Sequence, residues 1–232
     1  MRTRLRTLGI VLAVIGLFFV AGGGYAYAEI QAGYDSLQTF SEAQNVTLSY
    51  NEDGELIDRG TTEGAQAILT LLTEEWGYPA DMAELDPADP LVNTDTEYMY
   101  QMATIVYHTT SGTATVVLDE PALDADGNVL YEAGTYEVEL DGRYWTEFDR
   151  TDPLDGRARE AAWSGTVHGL VGELGVGTVT HSALQMGLGI AALLGGLGGT
   201  FILLGAGLYW ASREDDSSYL VIPEEAPQAM TV

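Results

Sequence analysis

Imidazoles are scarce in this chain of 232 residues: His108, His168 and His181 are the three present, and cysteine is absent. None of the three lies at the short spacing by which one helix or hairpin offers two ligands to a metal. A set of His168, Glu173 and His181 is the best the numbering offers zinc or iron, and it is set aside because His181 borders a long apolar stretch. Without thiols there is neither a disulfide nor a thiolate centre. Asp124-Ala125-Asp126-Gly127-Asn128 alternates oxygen ligands like the opening of a calcium-binding EF-hand loop. That loop requires Gly at its sixth position and Glu at its twelfth, where Val129 and Thr135 stand, and a turn before a strand accounts for the same residues. No nucleophile with its base and no phosphate cradle is legible, so the expectation is no catalytic, cofactor-binding or metal-binding residue. One spacing does carry physical meaning. Gly187, Ala191, Gly195 and Gly199 recur every four residues, a small-residue ladder that lets another helix approach backbone to backbone.

The elements around that ladder explain its setting. Residues 8–28 and 183–210 are apolar and uncharged, each long enough to cross a hydrocarbon core of roughly 30 Å as a helix. Arg2, Arg4 and Arg6 precede the first stretch and Arg213 follows the second, so the excess of basic residues near the spans predicts a cytoplasmic N-terminus (1–7), residues 29–182 outside, and a cytoplasmic tail (211–232). Tyr25, Tyr27, Tyr209 and Trp210 stand at boundaries where amphipathic rings are favoured. The first stretch also has the layout of a cleavable signal peptide, with Ala26-Tyr27-Ala28 at its end; its full length of uncharged residues favours a retained span. The first span offers Gly9, Ala13 and Gly16 as a small-residue face. The ladder then packs either in an intramolecular helix hairpin or in a homodimer through the second span.

Charge is distributed unevenly. Of 35 acidic residues, thirty fall between Glu29 and Ser182 against five arginines, and the chain has no lysine at all. A body this anionic repels phosphate backbones, which excludes nucleic acid as a partner, and it agrees with a GC-rich genome, a salt-adapted surface, or both. The tail is acidic and reads as disordered, with Tyr219 to Ile222 as a short apolar segment able to dock a cytoplasmic partner.

Between the spans the pattern is mixed. Glu29 to Gln44 extends the first helix as a stalk, and Val46 to Tyr50 with Glu55 to Asp58 forms a small hairpin. A helix over Glu63 to Trp76 presents Ile68, Leu69, Leu71, Leu72 and Trp76; a second, over Thr96 to Thr110, presents Met99, Met102, Ala103, Ile105 and Val106. The period then changes to that of strands at Thr113 to Leu118, Val129 to Tyr131, Thr135 to Leu140 and Arg143 to Phe148, with Asp141-Gly142 as a hairpin turn between the last two. Tyr136, Val138 and Leu140 share one face and Glu137 and Glu139 the other. After Asp152-Pro153 a helix bearing Val167, Leu170, Val171 and Leu174 leads into the second span. The fold class expected is a membrane protein in which two transmembrane helices flank a small α+β extracytoplasmic domain with an antiparallel β meander.

The segment Ala83-Glu84-Leu85-Asp86-Pro87-Ala88-Asp89-Pro90, the helix after it, and the second span ending in Phe201-Ile202-Leu203-Leu204-Gly205 resemble a group of uncharacterised two-pass envelope membrane proteins of GC-rich bacteria. The resemblance covers about half the chain, and Thr113 to Phe148 departs from it as an insertion. Members of that group sometimes carry the label of aromatic ring-opening dioxygenase, a chemistry whose iron site these histidine spacings do not supply. What the resemblance and the residues together imply is a non-catalytic interaction or accessory module of the cell envelope, with the lipid bilayer and an envelope protein as partners. The competing expectation is an extracytoplasmic ion-binding sensor or a membrane-anchored enzyme.

Overall fold

The computed structural model describes residues 2–213. The predicted tail beyond Arg213, including Tyr219 to Ile222, lies outside the described residues. Two long apolar helices flank a small α+β region whose strands pair antiparallel. The described residues form two compact units, one from residues 2–27 with 189–213 and the other from residues 28–188.

Helix α1 runs from Arg2 to Gln44, so the apolar stretch and the polar stalk are one continuous helix. It stops at Asn45, which adopts φ 53 while its amide bonds the Ser41 carbonyl, the left-handed ending that Asn accepts more readily than most residues. Helix α5, Gly165–Ala211, is likewise unbroken across its glycines.

In the unit of residues 28–188, a short hairpin pairs β1 (Ser49–Tyr50) with β2 (Leu56–Ile57). Thr61 then caps α2 (Thr62–Thr70) by accepting from the Gly64 amide. The helix expected to continue to Trp76 instead widens over Leu71–Glu75 into a π-helical turn, in which the Trp76 amide bonds the Leu71 carbonyl at 3.0 Å. Widening leaves Ile68, Leu71 and Leu72 buried and Trp76 partly so, its indole donating to the Tyr144 hydroxyl. Helix α3 (Asp95–Thr110) opens on a reciprocal capping box: the Thr94 side chain accepts from the Glu97 amide and Glu97 accepts from the Thr94 amide. Its buried apolar face consists of Tyr98, Tyr100, Ala103 and Val106, with Met99, Met102 and Ile105 half-buried at the edge.

Strand β3 (Thr113–Leu118) pairs with β6 (Gly134–Glu139) from Thr113 opposite Glu139 to Leu118 opposite Gly134; β4 (Ala122–Leu123) and β5 (Val129–Tyr131) form a separate hairpin between them. Ala114, Val116 and Leu118 point inward, as do Tyr136 and Val138, while Glu137 and Glu139 face out. The Asp124–Asn128 segment is the turn of the β4–β5 hairpin: Asp124 Oδ1 accepts from the amides of Asp126 and Asn128, so its oxygen serves its own loop.

The expected strand Arg143 to Phe148 does not form. Asp141 (φ 49) and Gly142 (φ 73) do take the left-handed pair of a primed turn. Beyond that turn the backbone is irregular because side chains occupy the groups a ladder would use. The Arg143 carbonyl accepts from the Trp163 indole at 3.2 Å, the Tyr144 amide is bound by the Glu147 carboxylate, and the Arg143 guanidinium reaches back to the Leu140 carbonyl and across to Asp155. The meander is therefore a β3–β6 ribbon with an inserted hairpin. Helix α4 (Pro153–Ala162), capped by Asp152, closes this ribbon with Leu154, Ala158 and Ala162. Together with Leu48, Ile68, Leu72, Tyr98, Val116, Phe148 and Trp163 these residues make one core, against which Leu37 of α1 and Val167, Val171 and Leu174 of α5 pack.

Candidate functional site

Two places in the molecule have geometry beyond ordinary packing. The first is the seam between the apolar parts of α1 and α5, which run antiparallel. A methyl group placed on Gly9 would lie 2.6 Å from the Gly205 carbonyl oxygen, on Gly16 2.6 Å from that of Gly198, and on Gly23 2.9 Å from that of Ala191. The obstacles are backbone atoms, which cannot swing aside. These residues recur every seven positions on both helices. Seven residues fall about 20° short of two full turns, whereas four overshoot one turn by about 40°, so a seven-residue spacing stays on a facing surface and a four-residue spacing walks off it. The four predicted packing residues divide accordingly. Ala191 lies in the seam; Gly195 offers only its amide, 3.1 Å from the position of a Gly23 methyl; and a side chain on Gly199 would meet open space. In the other unit, a methyl on Gly187 would meet the Ile30 side chain at 3.1 Å. The residues missed are Gly23, Gly198 and Gly205, and the signal that finds them is the matched heptad of small residues on the two helices.

Around this seam the large side chains turn outward. Phe18 is 76% exposed and Leu203 75%, and Leu17, Leu193, Ile190 and Trp210 are exposed as well. Small residues inside and large apolar residues outside reverse the arrangement of a protein folded against water. At the arginine-bearing ends of the same helices, the Arg6 guanidinium donates to the Tyr209 hydroxyl at 3.3 Å and Arg213 stacks on the same ring.

The second place is a polar cluster in the unit of residues 28–188, where Glu84, Asp95 and His181 converge with one ligand atom from each inside 4.8 Å of the others. Three different elements supply them: the loop before α3, the first turn of α3, and α5. The Asp95 amide donates to His181 Nδ1 at 3.1 Å, and Asp95 Oδ1 lies 3.2 Å from that nitrogen. Ser182 donates to Asp95 Oδ2 at 2.8 Å, and the Thr96 amide donates to Glu84 Oε2 at 3.2 Å. His181 is 8% exposed and meets the Tyr34 ring edge-on at 5.7 Å. Burial works to raise the Asp95 carboxyl, but the hydrogen bond from Ser182 and the adjacent imidazole bring it below the usual carboxylate value. Tyr34 and Tyr78 titrate above the ordinary phenol, through burial first and then the negative charge of Asp95 and Glu84. The Ser182 hydroxyl is bonded to a carboxylate rather than to the imidazole, so the arrangement is not that of an activated nucleophile.

The other histidines are engaged elsewhere. His108 pairs with Asp58 at 2.9 Å, and His168 lies edge-on to Trp145 at 5.0 Å; neither His168 nor Glu173 joins the cluster around His181. No family model, characterised protein or solved structure matches this chain.

Proposed function

We propose that this chain is a two-pass integral membrane protein that holds an anionic α+β domain outside the cytoplasm as an interaction or accessory module of the cell envelope. The observation that carries the reading is the reversed packing of the helix pair, with backbones touching at Gly9–Gly205, Gly16–Gly198 and Gly23–Ala191 while Phe18, Leu17 and Leu203 face away. In lipid, apolar side chains gain nothing by meeting each other, so close backbone contact between small residues becomes a main source of helix association. The three seam glycines contributed by α1 also support retention of residues 8–28 as a span rather than their removal as a signal peptide. Positive charge at Arg2, Arg4, Arg6 and Arg213 supports cytoplasmic ends. Open edges on the two-stranded ribbons, and half-exposed Leu123, Val129 and Leu130 on the β4–β5 hairpin, support a role in contact with another envelope protein.

Two measurements test this. The protein should stay with the membrane fraction through an alkaline carbonate wash and leave it only with detergent; release into the aqueous phase would overturn the membrane reading. A cysteine introduced by Ser111→Cys should be labelled by an impermeant maleimide in intact cells, and one introduced by Ser217→Cys only after permeabilisation. The reverse pattern would invert the topology.

A further inference from the structure

We infer that Glu84, Asp95 and His181 form a binding site for one divalent transition-metal ion of the zinc class. Ligand atoms about 2.0–2.2 Å from a tetrahedral zinc ion lie about 3.3–3.6 Å from one another. The three groups here are within 4.8 Å, so they close on an ion by side-chain shifts of up to about an ångström. Two carboxylates match the charge of a divalent cation, and the imidazole selects zinc, cobalt or nickel over calcium and magnesium, which prefer oxygen alone. The groups that would steady the ligands are in place: the Thr96 amide on Glu84, the Ser182 hydroxyl on Asp95, and the Tyr34 ring against His181.

As it stands, His181 Nδ1 accepts a proton donor from the Asp95 amide while also facing a carboxylate oxygen of Asp95. A neutral imidazole cannot satisfy both contacts with one lone pair. An ion between the nitrogen and the carboxylates resolves the conflict, at the expense of the amide hydrogen bond. The positive end of the α3 dipole opposes a cation here, but it amounts to about half a charge against two full negative ones. The thirty acidic residues of the surrounding region further concentrate cations at its surface. Bound metal would tie the loop carrying Glu84, the start of α3 and the α5 helix together.

The test is calorimetric titration of the detergent-solubilised full chain, freed of metal by chelator, in physiological salt with millimolar magnesium to occupy diffuse carboxylate sites. Zinc should bind at one equivalent, raise the thermal midpoint, and lose more than tenfold in affinity in both Glu84→Gln and His181→Gln. Glu84 lies on a partly exposed loop, so its variant leaves the core untouched. Cobalt added to the native protein should give visible bands of a nitrogen- and oxygen-coordinated ion, which needs no variant at all. Absence of a one-equivalent zinc isotherm, native affinity retained in both variants, or magnesium displacing zinc at comparable concentration would overturn the assignment.

Discussion

Along Gly9–Gly205, Gly16–Gly198 and Gly23–Ala191 there is no room for an added atom, whereas around Ile68, Leu72 and Val116 a removed atom leaves a hole. The helix pair and the α+β domain thus reach close packing by opposite routes. In the domain the filling material is side chain, and the water excluded from it supplies the stabilisation. In the helix pair the contact surface is backbone, and the large side chains are on the outside. The two regions should therefore respond to opposite kinds of substitution: truncation damages the domain, enlargement damages the seam.

The largest effect is expected from Leu72→Ala. This side chain has no exposed surface, and its truncation should cost about 2–5 kcal/mol of domain stability, measured by denaturant unfolding of the full chain followed through tryptophan fluorescence. A loss under about 1 kcal/mol would break the comparison by showing that the domain core tolerates a cavity. Next comes Gly198→Ala, whose new methyl would stand 2.7 Å from the Gly16 carbonyl oxygen and 2.8 Å from the Val20 amide nitrogen. We expect about 1–3 kcal/mol lost from helix pairing, read by crosslinking between the two helices during denaturing-detergent titration, and no loss for Gly199→Ala, which faces open space. Equal behaviour of the two variants would remove the heptad seam.

Asp152→Ala sharpens the domain side. Asp152 caps α4 through the amides of Leu154 and Asp155 and accepts from the Tyr131 hydroxyl at 2.7 Å, so its removal should cost about 1–2 kcal/mol at neutral pH. Burial raises this carboxyl, yet the bonds from Tyr131, Asp155 and Leu154 leave it below the usual value. With the folded pKa depressed, its contribution is present above the ordinary aspartate value of about 3.9 and is lost as pH falls through the lower folded one. The native protein and the variant should therefore converge in stability on acidification, and curves that stay parallel would count against this role. The smallest effect is expected from Glu97→Gln. Burial pushes Glu97 up despite the bonds from Asn93 and Thr94, so the stability it confers is present below the ordinary glutamate value of about 4.3 and is lost as pH rises through the raised folded one. Glutamine keeps the accepting oxygen of the capping box without the buried charge. The variant should be slightly more stable than native at neutral pH and lose that advantage near the ordinary glutamate value of about 4.3; a penalty at neutral pH would mean that the charge itself is what the capping box needs.

Strong local patterns were readable where local interactions decide the outcome. Helix α3, expected over Thr96 to Thr110, forms over Asp95–Thr110, the alternation of Tyr136 and Val138 with Glu137 and Glu139 holds in β6, and the Asp141-Gly142 turn forms with the backbone its residues prefer. The strand predicted after that turn fails because the Trp163 indole and the Glu147 carboxylate take its backbone groups, and nothing local to residues 143–148 announces the reach of Trp163. The glycine ladder illustrates a different limit. Gly187, Ala191, Gly195 and Gly199 stand out by eye, but helical geometry rotates Gly199 about 80° away from Ala191, and only the matching heptad on α1 distinguishes Gly198 and Gly205 as the residues in contact.

The amino-acid order alone determined two long apolar helices, the acidic α+β region between them and most of its helix and strand positions, because hydrophobic period, capping and turn chemistry act over a few neighbouring residues. It could not determine which backbones touch or which polar side chains meet. Glu84 and Asp95 are 97 and 86 positions from His181. Their convergence depends on how the loop before α3, the start of α3 and α5 pack together, and such packing is fixed by contacts between parts of the chain that no local spacing connects.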